Sequence, residues 1–171
     1  MKVIETERLI LRWGTEKDAP FILELLNDPT WIHYLGDRGI KTIEQATEYI
    51  SSSLLEMYKN FGFGLYIVVH KEDGIPVGIC GLLKRDSLED VDLGFAFLSK
   101  HQRKGYGFEA AVATLKYGKD FFDFKKIVAI TSMKNSNSSK LLEKIGMKYD
   151  RMVLLPHDQE ELRLYKIEFI Q

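Results

Sequence analysis

The sequence predicts a mixed α/β (α+β) fold: a central, mostly antiparallel sheet of about six to seven strands, flanked by helices. Three observations carry that prediction. Two apolar runs, 64–71 and 75–84, are joined by Glu72-Asp73-Gly74, a hairpin signal. An apolar run at 91–98 leads through a polar linker into Gly105-Tyr106-Gly107 and then a helical pattern. Beyond it, strand and helix patterns alternate, as crossover units require. At 171 residues, with no repeat, linker or low-complexity tract, the chain reads as one domain, 1–171.

Each element has a local reason. Leu9, Leu11 and Trp13 fall at period two and predict a first strand at 8–13. Asp18 is placed to cap a short helix carrying Ile22, Leu25 and Leu26, which ends near Asp28-Pro29. A weaker helical turn holds Trp31, Ile32 and Tyr34. Thr42-Ile43-Glu44-Gln45 is a capping box, and Ala46, Ile50, Leu54 and Met57 continue one face, so 42–60 predicts a long helix. In the run 91–98, Val91, Leu93, Phe95 and Phe97 make one face large, while Asp92, Gly94 and Ala96 make the other small. A small face admits a helix or a ligand close to the backbone. After the glycine turn the pattern reads helix, strand (127–133), helix (136–145), strand (147–154) and strand (about 161–169).

Composition narrows the function classes. A net charge of −1 with no sustained basic stripe argues against nucleic acid as an obligatory partner. No stretch reaches the roughly 18 apolar residues of a membrane span, and the N-terminus lacks an apolar signal core. Cys80 is the only cysteine, and His33, His70, His101 and His157 show no metal-ligand spacing. These readings predict a cytoplasmic, metal-free protein, a monomer or homodimer, with Cys80 buried in a strand.

The turn after 91–98 carries the chemistry. A glycine turn that opens a helix offers free backbone N–H groups, a positive dipole end and room for an anion. Arg103 and Lys104 add charge, so the turn suits a phosphate-bearing ligand. Gly105-x-Gly107-x-x-Ala110 also fits a dinucleotide fingerprint. Two details weigh against that reading: six mostly polar residues separate the strand from the glycine, and 127–133 ends without an acid.

Gln102-x-x-Gly105-x-Gly107 resembles the pyrophosphate-binding signature of the GCN5-related N-acetyltransferases. Residues 135–147, NSNSSKLLEKIGM, resemble a second stretch of the same family, with Met147 where phenylalanine is usual. The opening Thr6-Glu7-Arg8-Leu9-Ile10-Leu11-Arg12, followed by Asp18-Ala19, is similar to the branch that contains the RimJ/RimL-type ribosomal-protein alanine N-acetyltransferases. The resemblance spans essentially the whole chain. It implies a sheet splayed between 91–98 and 127–133, with acetyl-CoA as co-substrate in the gap. It also implies transfer of an acetyl group to a primary amine, a protein N-terminus or a small amine, by direct attack in a ternary complex.

The same resemblance distributes the roles. Backbone groups around Phe97 and Leu98 align the pantetheine arm and polarise the thioester carbonyl. The amides of Arg103, Lys104, Gly105, Tyr106, Gly107 and Phe108 hold the pyrophosphate behind Gln102, with the Lys104 side chain an outer contact. Asn135 contacts the cofactor or caps a helix. Many relatives place a tyrosine acid where this chain has Leu142, so the branch points to Ser138 as the acid for the leaving thiolate; a capping serine is the plain alternative. Asp92 stands where the branch often has an acid and is the candidate base; a solvated strand-edge carboxylate is its plain reading. Glu109, in the first turn of a helix, is explained by the helix dipole. The alternative at the level of the whole protein is a non-catalytic acyl-CoA-binding or sensing domain.

Overall fold

The computed structural model describes residues 1–169. Its frame is one eight-stranded sheet, built from β1 (Lys2–Glu5), β2 (Leu9–Arg12), β3 (Leu65–His70), β4 (Pro76–Leu83), β5 (Asp92–Phe97), β6 (Lys126–Ser132), β7 (Lys148–Val153) and β8 (Leu162–Glu168). The strand order is β1-β2-β3-β4-β5-β6-β8-β7. Every neighbouring pair is antiparallel except β5 and β6. The strand beyond the seven expected is β1, a four-residue edge strand with an irregular register against β2. Four residues are too few to display a period, which is why pattern reading passes over them.

β5 and β6 meet at a single register pair, Asp92 with Val128, and the amide of Val128 donates to the carbonyl of Val91. Beyond that pair the two strands part, giving the sheet the expected splay.

The helices are α1 (Ala19–Leu26), α2 (Pro29–Leu35), α3 (Ile43–Tyr49), α4 (Glu56–Phe61), α5 (Tyr106–Phe122) and α6 (Ser136–Lys144). The helix expected over 42–60 starts at the predicted capping box, where Thr42 and Gln45 exchange bonds. It is not uniform, however. Residues Ile50–Leu55 form a wider π-helical stretch between α3 and α4. Apolar period alone does not distinguish this stretch from α-helix, because Ile50 and Leu54 still reach the core.

α5 packs across β4 and β5. Its close approach depends on Gly118, where an added Cβ would lie 2.9 Å from Ile127 Cδ1. The core is contiguous from Leu11 and Ile22 through Leu54 and Ile67 to Leu82 and Leu142, all 1% exposed or less. Cys80 lies in it, fully buried in β4 beside Thr114.

The opening motif is explained by two clamps. Arg12 grips Asp18 in a fork, Nη1 to Oδ2 at 2.9 Å and Nη2 to Oδ1 at 2.8 Å, fixing the start of α1 against β2. Thr6 and Arg8 grip Glu109 on α5.

Candidate active site

The glycine turn builds the first half of the site. Arg103 and Gly105 both adopt left-handed backbone, at φ 63° and 80°. Alternating hands turn successive amides toward one point, an anion-binding concavity. α5 begins at Gly105 with no side-chain cap, and its first backbone bond runs from Glu109 to Gly105. The amides of Tyr106, Gly107 and Phe108 therefore have no intrahelical partner. They border a cavity of about 350 Å³. A Cβ at Gly107 would lie 3.2 Å from Leu141 Cδ2 and 3.8 Å from the Phe97 ring, so a side chain there would crowd the cavity wall.

Arg8 secures this turn from behind. Its Nε donates to Glu109 at 2.7 Å, its Nη1 donates to the Lys104 carbonyl at 2.8 Å, and its guanidinium lies over the Tyr106 ring. Glu109 also accepts the Thr6 hydroxyl and the Arg8 amide. Burial raises the Glu109 carboxyl, but these bonds outweigh it and hold the group below its ordinary value. Glu109 is thus an ionised brace, more than dipole pairing alone.

Most of the residues expected at the turn border the smaller cavity: Phe97, Gln102, Arg103, Gly105, Tyr106, Gly107, Phe108 and Asn135. Two of the expected residues lie off this cavity. Leu98 donates its amide to Val77 and accepts from His101 at its carbonyl, so it has no free backbone group and does not border the cavity. Lys104 also lies off the cavity, with its carbonyl turned to Arg8.

The bond from Leu98 to Val77 fixes the alternation along β5. In an antiparallel ladder, backbone groups point alternately to either neighbour. Residues 92, 94 and 96 face β4, so the groups of Phe95 and Phe97 face the splay. The Phe97 carbonyl is already engaged, by Trp31 Nε1 at 2.7 Å and Gln102 Nε2 at 3.1 Å. Phe95, which borders both cavities, therefore joins the candidate residues, although sequence reading placed it only on an apolar face.

A second cavity, about 460 Å³, opens on the sheet below α1 and α2. The two cavities share Trp31, Tyr34, Phe95, Asn135 and Ser138 in their linings. The sequence placed Trp31 and Tyr34 only on a helical turn; their place on both cavities becomes visible once α2 docks on β5. Asp28 performs that docking: it caps α2 at Thr30 and accepts from the amide and hydroxyl of Ser99.

Asn135 is 6% exposed and caps α6, its Oδ1 accepting from the Ser138 amide at 3.0 Å. The cap is therefore Asn135, not Ser138, and the Ser138 hydroxyl bonds to no described residue. Asp92 borders the larger cavity at 1% exposure, which overturns the solvated strand-edge reading. Burial lifts its carboxyl to about 6, against the pull of Arg85, whose Nε lies 3.2 Å and 3.4 Å from its two oxygens. Leu142, 1% exposed, offers no acid. His101, absent from the expected set, borders the smaller cavity with Nε2 shielded and unpartnered among the described residues.

This geometry is that of an acyltransferase fold, and the comparisons agree. An acetyltransferase (GNAT) domain model matches residues 8–148. The chain is 31% identical over 151 residues to the uncharacterized protein YkkB of Bacillus subtilis, covering 86% of each. A GNAT-family acetyltransferase structure from Bacillus anthracis superposes with a TM-score of 0.81 at 28% identity, covering 96% of this chain and 97% of that one. RimL, a ribosomal L7/L12 α-N-protein acetyltransferase in complex with coenzyme A, shares the fold at a TM-score of 0.82 and 14% identity, covering 98% of each chain. The protein belongs to the GNAT acetyltransferase family.

Proposed function

We propose that this protein, acting as one domain over residues 1–171, moves the acetyl group of acetyl-CoA to a primary amine by direct attack in a ternary complex. One observation carries the reading: two cavities meet at Ser138 and Phe95 beside the splayed strands, one on an uncapped glycine turn, the other on a buried carboxylate. In this reading the turn from Arg103 to Phe108 receives the pyrophosphate, backed by Arg8. The free backbone groups of Phe95 and the free amide of Phe97 align the pantetheine, and the amides polarise the thioester carbonyl. RimL, which has the same fold, is in complex with coenzyme A, and this supports acetyl-CoA as the co-substrate.

Asp92 takes the proton of the incoming ammonium, and Ser138 returns one to the leaving thiolate, directly or through water. A carboxyl lifted to about 6 is ionised at neutral pH yet basic enough to accept a proton. The similarity of the opening Thr6 to Arg12 supports kinship with the RimJ/RimL-type branch. Burial pushes the Cys80 thiol up to about 12, which leaves it an inert core residue outside the reaction.

The experiment is release of free thiol from acetyl-CoA across a panel of peptides and small amines. Release with at least one acceptor class is expected. A protein that acetyl-CoA stabilises, yet that releases no thiol with any acceptor, is a binding or sensing domain instead.

A further inference from the structure

Two arginines border the larger cavity with their terminal guanidinium nitrogens unspent. Arg85 meets Asp92 through Nε alone, so its terminal nitrogens bond to no described residue. Asp92 is buried within β5 and holds that guanidinium in one place. Arg38, in the loop after α2, borders the same cavity and makes no ion pair or hydrogen bond with a described residue. A planar fork of N–H donors is matched by a carboxylate.

The remaining lining is largely apolar, with Leu26, Leu35, Leu65, Leu83 and Leu93 beside the aromatic wall of Trp31 and Tyr34. About 460 Å³ is the size of a small-molecule site. Asp158 and Glu160 also border it, from the loop between β7 and β8, and Lys134 lies 3.9 Å from Glu160. The cavity thus offers acids for an ammonium as well as guanidinium groups for an anion.

We propose that the acceptor is a small amine carrying a carboxylate on an apolar or aromatic body: in chemical class, an α-amino acid. The carboxylate rests on Arg85 and Arg38, and the amine is aimed at the junction of the cavities. The transfer step rests on the acetyltransferase reading above. The amine nitrogen attacks the thioester carbon, a C–N bond forms and the C–S bond breaks. The nitrogen loses a proton and the sulfur leaves as a thiolate that gains one, giving an N-acetyl amino acid and coenzyme A.

The test compares L-leucine with L-leucinamide, and L-phenylalanine with L-phenylalaninamide. Binding is measured with coenzyme A present, where nothing can transfer; turnover is measured as thiol release from acetyl-CoA. The acids are expected to bind, and to exceed their amides by about tenfold or more in kcat/KM. Arg38→Glu and Arg85→Gln should each cut that preference about tenfold, while the thermal shift given by acetyl-CoA stays at its parental size. Acid-selective binding without thiol release keeps the carboxylate site and removes the transferase reading. The carboxylate site is overturned if amides react as well as acids, if the preference survives both variants, or if neither acid binds.

Discussion

Asn135 and Ser138 lie one helical turn apart and carry different loads. Asn135 supplies the cap bond of α6, so Asn135→Ala should lower stability by about 1 kcal/mol in denaturant titration. Ser138 supplies no bond to the fold, so Ser138→Ala should leave stability within about 0.5 kcal/mol. If its hydroxyl protonates the thiolate, kcat should fall about 10²–10³-fold with acetyl-CoA affinity unchanged. A parental kcat would leave water as the proton donor. Asp92 is tested by pH. Its folded pKa, about 6, lies above the ordinary 3.8, so the protonated form favours the folded state. That stability is fully present below about 3.8 and is lost as pH rises through about 6. Asp92→Asn has nothing to lose in this window, so its melting temperature relative to the parent should climb between about pH 4 and pH 7. Its kcat/KM profile should also lack the parent's acidic limb near 6. An identical limb in both enzymes would assign that titration elsewhere.

At the scale of elements, the glycine turn depends on a residue far away in sequence. Arg8 and Glu109 are 101 positions apart, yet their pairing sets where α5 begins relative to β2. Arg8→Ala should free the Lys104 carbonyl and loosen the turn, raising KM for acetyl-CoA about tenfold while kcat at saturation stays near parental. Arg8→Lys should not restore affinity, because a lysine cannot serve Glu109, Lys104 and the Tyr106 face together. If both variants lose stability but keep KM, Arg8 supports the fold alone. Gly107→Leu tests the turn from the front. Its Cβ would already touch Leu141, and the rest of the side chain would occupy the cavity. The thermal shift by acetyl-CoA should vanish.

For the molecule as a whole, ligand binding to the native state alone raises stability by mass action, by about 2.7 kcal/mol at one hundred times Kd. Acetyl-CoA should produce such a shift and NADH none. What the sequence disclosed follows the same divide between near and far. Strand, hairpin and helix signals depend on residues within a turn or two of each other, and Thr42 with Gln45 or Glu72-Asp73-Gly74 can be read directly. The glycine turn and the stretch at 135–147 were legible for that reason, and Cys80 in its strand likewise. The brace from Arg8 and the bond from Trp31 to Phe97 were not. Each joins segments whose meeting depends on the sheet order. That the backbone of Leu98 turns to Val77 was not legible either, because alternation along β5 is fixed by its antiparallel partner, which no local pattern records.

The single pair that joins β5 to β6 also makes the sheet two panels on one seam, β1 to β5 on one side and β6 to β8 on the other. The inward edges of a seam are unsealed amides, and unsealed amides trade their hydrogens with solvent quickly. In deuterated buffer the amides of Phe95 and Phe97 should exchange early in the free protein, while those of Gly94 and Ala96, locked to β4, persist. A cofactor arm lying in the gap would act as a missing strand, and the odd-numbered amides should slow to match the even ones.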